Sequence, residues 1–222
     1  MAIAHDSTTV AGNNQTGTSA SWSHTVASGG VLFVVVMMRN STDANRSVSG
    51  VTYDGAALTR AINISNNTYD LTAEIWYLAN PTTGASRTVE VTLTGTGNLW
   101  SASASSFIGA ATDDPVGETQ TAQASRTGSW LSMRPADSNS WILDCVYSKS
   151  DNAITAGQTE RSQQTANSSG DRVASQTAGP VSTATTMAWT WSSSGQNAVQ
   201  CAVEIRVASI PAGNPWYAYA QQ

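Results

Sequence analysis

Residues 51–60 read VTYDGAALTR, directly after SVSG at 47–50. Apolar and polar positions alternate up to Asp54-Gly55, and a second alternating run begins straight after it. An Asp-Gly pair between two alternating runs is a strong short-range hairpin signal. The type I′ turn it forms needs positive φ at both central positions, and glycine adopts that cheaply. Asp54 is therefore read as turn chemistry and not as a working carboxylate. Val51, Tyr53, Ala57 and Leu58 are the residues expected to pack beside the turn.

The same grammar recurs along the chain: short β-branched or alternating runs, punctuated by Gly, Asn, Asp and Ser clusters. Strands are predicted at 19–26, 31–39, 47–54, 56–62, 71–79, 87–95 and 100–109. The second half offers 116–123, 140–149, 157–165, 172–179, 185–192 and 198–207. No run has a helical period. Strands joined by hairpin-length links predict an all-β antiparallel sandwich, jelly-roll-like. The predicted organisation is an N-terminal arm (1–17), one sandwich domain (18–208) and a C-terminal aromatic arm (209–222). DDPVG (113–117) reads as a long crossover loop. VLFVVVMM (31–38) is apolar on both faces, as a strand covered on both sides must be; with WILDCVY and AVEIRV it should form the heart of the core.

In order, SWSHTVASGGVLFVVVMMRN, VSGVTYDGAALTRA, AEIWYLANPTTGASRTVEVTLTG and ASSFIGAATDDPVGETQTA precede WILDCVYS, ITAGQTERSQQ, TMAWTWSSSG and AVEIRVA. This arrangement resembles a β-sandwich domain family recurrent in bacterial surface proteins and phage virion structural proteins. The resemblance covers about residues 18 to 208. It rests on hairpin and core signatures and departs from the family at Cys145, Cys201 and the aromatic tail. It implies a fold and a structural role, and it carries over no catalytic residues.

Charged residues are only 11% of the chain, against roughly 25% in ordinary soluble domains, and the net charge is −5. That balance argues against a nucleic-acid footprint, which needs clustered Lys and Arg. The longest apolar run is far short of the ~20 residues a membrane helix needs, so no membrane partner is expected. The N-terminus lacks the basic and apolar regions of an export signal, while the Ser/Thr-rich surface suits work outside cells. A virion assembled in a host cytoplasm reconciles the two; an extracellular or cell-surface location is the alternative.

The chemical inventory is thin. Cys145 and Cys201 fall within strands in neither a redox nor a zinc spacing. If Asp144 and Glu204 with Arg206 face water, both cysteines turn inward as small core residues; a cross-strand disulfide is the other reading. Of two histidines, His5 lies in the N-terminal arm and His24 shares a strand face with Trp22 and Val26, as a partly buried structural residue. No nucleophile elbow, phosphate loop or metal motif is present. Most of the 15 acidic residues fall in turns (Asp43, Asp54, Asp113, Asp114, Asp137, Asp151) or alternate outward on strands (Glu74, Glu90, Glu204). Asp113-Asp114 before Pro115 reads as a turn in preference to a calcium loop. No enzymatic activity, cofactor or metal is expected.

Eight tryptophans stand out. Trp189 and Trp191, two apart on one strand, point the same way and form a candidate glycan platform; core filling and subunit contact are the competing roles. Trp216, Tyr217 and Tyr219 in the tail form a candidate interface, since exposed aromatics on a free segment would be a liability. The expected function is a non-enzymatic virion structural protein, a phage capsid decoration or head-surface protein, or else a tail or fibre component. Its expected partners are copies of itself, for instance in a trimer, and a major capsid or tail protein. Two alternatives are a carbohydrate-binding adhesin that engages a host surface glycan and a self-polymerising surface filament subunit.

Overall fold

A computed structural model describes residues 1–39, 47–95, 99–150, 153–167 and 170–208. Among them every regular element is a strand. The first half carries β1 (Ala4–Val10), β2 (Ser19–Thr25), β3 (Gly30–Arg39), β4 (Val48–Tyr53) and β5 (Ala56–Ala57), then β6 (Thr59–Asn66), β7 (Leu71–Leu78), β8 (Ser86–Leu93) and β9 (Leu99–Ile108). The second half carries β10 (Val116–Arg126), β11 (Gly128–Met133), β12 (Ser140–Ser148) and β13 (Thr155–Ala156), then β14 (Thr159–Thr165), β15 (Arg172–Val181), β16 (Thr185–Thr190) and β17 (Gln196–Ile205). All pairings are antiparallel, so the all-β sandwich class holds.

The strands form four sheets stacked as four layers. Two five-stranded sheets, β1-β9-β3-β7-β6 and β10-β17-β12-β15-β14, face each other in the middle. The sheet β2-β8-β4-β5 covers the first from outside, and β11-β16-β13 covers the second. Alternation then explains the core. Val31, Phe33, Val35 and Met37 of β3 point at Leu143, Cys145 and Tyr147 of β12 and Val199, Cys201 and Val203 of β17. Leu32, Val34, Val36 and Met38 point the other way, onto Tyr53, Val89 and Val91. VLFVVVMM is thus apolar on both faces because sheets cover it on both sides. Each such side chain contributes about 1.5–3 kcal/mol when fully buried.

The two halves repeat one topology. Taken in order, β1, β2, β3, β4, β6, β7, β8 and β9 correspond to β10 through β17, each with equivalent neighbours; β5 has no counterpart. Registers repeat as well. Trp22 lies opposite Val89 as Leu131 lies opposite Met187, and His24 opposite Arg87 as Met133 opposite Thr185. The irregularities recur too: β6 is bulged between Arg60 and Ile62, and β14 between the equivalent Glu160 and Ser162. β1 and β10 are bulged at equivalent points, between His5 and Ser7 and between Val116 and Thr119. The chain is therefore two like sandwiches fused back to back over a shared core, joined by the link 109–115 between β9 and β10; the crossover expected at 113–117 thus ends earlier, because Val116 and Gly117 already belong to β10.

Residues 1–17, expected as an arm, are instead built into the first half. β1 pairs with β9, Gln15 and Trp100 exchange backbone hydrogen bonds, and Ile3 is buried in the central core. The physical reason is the edge of β9, whose backbone groups would otherwise go unpaired. His5 accordingly lies on a strand, its Nε2 2.8 Å from Thr8 Oγ1. The 54–55 turn is as expected, with φ of 53° at Asp54 and 80° at Gly55. Val51, Tyr53 and Leu58 are buried beside it, whereas Ala57 is exposed.

Candidate functional site

The nominated glycan platform is not on the surface. Trp189 and Trp191 do share a face, but it is the face β16 turns inward, and both are buried. Trp189 Nε1 donates to Asp144 Oδ2 at 2.8 Å, and Trp191 Nε1 to the Arg126 carbonyl at 2.8 Å. Both indoles are core, so the pair presents no stacking surface to a sugar. Trp216, Tyr217 and Tyr219 lie outside the described residues.

The carboxylates predicted to face water on strands are largely inside. Asp144 of β12 is fully buried, because the β11-β16-β13 sheet covers the face that a two-layer sandwich would leave wet. Gln176 Nε2 (2.6 Å), Trp189 Nε1 (2.8 Å) and Gln200 Nε2 (3.1 Å) all donate to its Oδ2. Burial pushes its pKa up to about 7 against the pull of those donors. Glu74 is buried under β4, accepts from Trp76 Nε1 at 2.9 Å and lies 3.6 Å from Arg60 Nη1; burial raises its pKa.

Glu204 is buried and acts as a bracket. Its Oε1 accepts from Ser140 Oγ (2.7 Å) and the Asp137 amide (3.1 Å), and its Oε2 from the Glu118 and Ala136 amides (3.0 Å each). Burial alone would raise its pKa, but those donors outweigh it and hold the carboxyl below its usual range. The equivalent bracket in the first half is Asp6, whose Oδ2 accepts from the Ala27 amide (2.9 Å) and Ser106 Oγ (2.7 Å). Ser106 occupies the place of Glu204 and Asp6 that of Gly117, so the carboxylate reaches one spot from either strand of the pair.

The two cysteines, His24, Asp114 and Asp171 also make their contacts within the fold. Cys145 and Cys201 lie directly opposite each other on β12 and β17, both free and buried, with Sγ atoms 3.4 Å apart. His24 is buried, its Nδ1 2.8 Å from Thr9 Oγ1, and burial lowers its pKa to about 4. Asp114, in the link just before β10, pairs with Arg206. Asp171 joins the halves: Tyr147 Oη donates to it at 2.8 Å, and Arg39 of the first half lies 3.3 Å away.

Among the described residues, the outer faces of the stack lie open to other molecules. On the first outer sheet Ser19, Ser21, Ser23 and Thr25 lie opposite Thr92, Glu90, Thr88 and Ser86, all exposed. On the second, Ser132, Thr155, Thr186 and Thr190 are exposed in the same manner. Among these hydroxyls stands Trp130 of β11, 52% exposed. Ala188, a small residue, lies directly opposite it. Arg126, at the end of β10, holds its guanidinium Cζ 5.3 Å from the indole centroid. A cleft of about 140 Å³ beside the ring is lined by Gln123, Ala124, Arg126, Gly128, Ser129 and Trp130.

Comparison with protein-family models, with curated proteins and with solved structures found no match in any of the three. The site therefore has to be read from its own chemistry. Trp130 was not singled out among the eight tryptophans because β11 is short and its strand pattern weak. The usable signal was GSWLSM itself: Leu131 and Met133 alternate with Trp130, so if they face inward, Trp130 faces out.

Proposed function

We propose that the chain is a non-enzymatic structural component of a virus particle, most simply a head-surface decoration protein of a phage, acting through contacts with copies of itself and with particle proteins. The observation that carries this reading is the use made of the buried acids. Asp144 accepts from Trp189 of the outer sheet, Asp171 from Tyr147 and from Arg39 of the first half, and Glu204 from the loop before β12, while Glu74 pairs with Arg60 of β6; together they brace the stack. The result is a braced double sandwich whose outer sheets present rows of hydroxyls with few charges among them. Such a surface is suited to a crowded particle exterior, where strong charge would bind indiscriminately. The motif resemblance to phage and bacterial surface β-sandwich domains supports the same role.

The test is sedimentation of the purified protein with particles that lack it. Saturable co-sedimentation, with a fixed ratio to the major particle protein, is expected. Protein that stays in the supernatant at every particle concentration contradicts the reading.

A further inference from the structure

Trp130 stands apart from the repeat that surrounds it. The equivalent position in the first half is Ser21, one of a row of exposed hydroxyls. The fold therefore manages this position with serine, and an indole there adds nothing to the core. Exposing a large aromatic has a cost in solubility, so it calls for a use. Its surroundings decide which use. Ser132, Thr186 and Thr190 flank it with hydroxyls, and no second large apolar side chain is exposed on that sheet face among the described residues. A protein interface core needs a contiguous desolvated patch around its anchor, and a lone indole in a field of hydroxyls does not provide one.

We propose that this face is a saccharide-binding site, taking a pyranose ring against the indole of Trp130 and an anionic substituent of the same sugar on Arg126. A pyranose is the ligand whose chemistry matches the surface: one apolar C–H face for the indole, and a rim of hydroxyls for the hydroxyl rows. Arg126 selects for charge. Arg39, Arg60, Arg87 and Arg206 each pair with a carboxylate, whereas Arg126 makes no ion pair among the described residues and its described contact is the indole. Its guanidinium is left to donate to the oxygens of a carboxylate or sulfate in the forked geometry it favours. This site is independent of the role proposed above: particle attachment through other surfaces leaves the Trp130 face free.

The test uses the full chain on an array of neutral and acidic oligosaccharides, followed by titration calorimetry of the strongest binder. Binding of carboxylate- or sulfate-bearing sugars is expected. Trp130→Ala should weaken it by at least about tenfold, equal to ~1.4 kcal/mol, while Trp130→Phe keeps most of it. Arg126→Gln should erase the preference for acidic over neutral sugars. The melting temperature of Trp130→Ala should match that of the parent, since the ring lies outside the core. An empty array, unchanged binding by Trp130→Ala, or a shift of oligomeric state in that variant on light scattering would each overturn the assignment; the last would make the indole a protein contact.

Discussion

At the scale of the residue, Asp144 shows how a polar group inside a four-layer stack becomes a pH sensor of stability. Its Oδ2 takes three N–H donors, and its Oδ1 is buried with no hydrogen-bond partner. Its pKa rises from about 3.9 in the unfolded chain to about 7 in the fold. The native state therefore binds the proton more tightly. The contribution is fully present below pH ~4 and is lost as pH rises through about 7. Asp144→Asn keeps an oxygen for the three donors, places an amide at the unpartnered position and removes the titration. In urea unfolding at a series of pH values, the variant should gain on the parent by a few kcal/mol between pH 4 and pH 8. Parallel pH profiles would contradict this. Glu204 works in the opposite sense, because its pKa is depressed: its contribution is present above the unfolded value and is lost as pH falls.

Turn chemistry was the most legible feature at this scale. Asp54 and Gly55 adopt the two positive φ angles the dipeptide requires. Gly55→Val should cost about 1–3 kcal/mol in thermal unfolding, while Asp54→Asn should be nearly silent, since asparagine also tolerates the left-handed region and the ion pair to Arg87 is half-exposed. The buried acids were misread for one reason: strand alternation assigns a residue to one face or the other, and it says nothing about whether that face is wet. For β7, β12 and β17 neither is, so Glu74, Asp144 and Glu204 are inside.

At the scale of the element, the thirteen strands predicted from alternation all have counterparts in the fold, and the 56–62 run is divided between β5 and β6. β1, β11 and β13 were missed. AHDSTTV has almost no apolar contrast, and its place is decided by the open edge of β9, which no local pattern reveals. β13 is two residues long. The bracket beside β10 gives a sharp test of element packing. A Cβ on Gly117 would come within 2.3 Å of Glu204 Oε2, so Gly117→Ala must displace the carboxylate from its donors. A loss of about 1–3 kcal/mol is expected in chemical denaturation, as for a hydrogen-bonded charge left short of partners; a neutral result would mean that the bracket carries no load. The central β12–β17 pair makes another prediction. Cys145 and Cys201 face each other in the core, and burial pushes the Cys201 thiol well above its usual range. Neither thiol should react with a disulfide reagent in the native protein, and both should react once it is unfolded.

At the scale of the whole molecule, the single sandwich expected from the sequence proves to be two of one topology. The repeat escaped sequence reading because equivalent positions diverged in chemistry: Val34 corresponds to Asp144, Ser21 to Trp130 and Asp6 to Gly117. What survived is register, bulges and turns, such as the positive φ at the equivalent Gly29 and Asn139, and these appear only when strands are paired. The halves are also tied at both flanks. Asn66 Nδ2 donates to Gln123 Oε1 at 2.7 Å on one side, and the Asn14 amide to the Thr165 carbonyl at 2.8 Å on the other. The central apolar core draws residues from β3, β7 and β9 on one side and from β12, β15 and β17 on the other, so each half stripped of its partner would expose a whole sheet face. On this packing the two halves should fold as one block. Differential scanning calorimetry tests it most directly. One transition is expected, with a calorimetric enthalpy equal to the van't Hoff value for the entire chain. Two separable transitions, or a calorimetric enthalpy about twice the van't Hoff value, would show two halves that fold independently and would contradict the account.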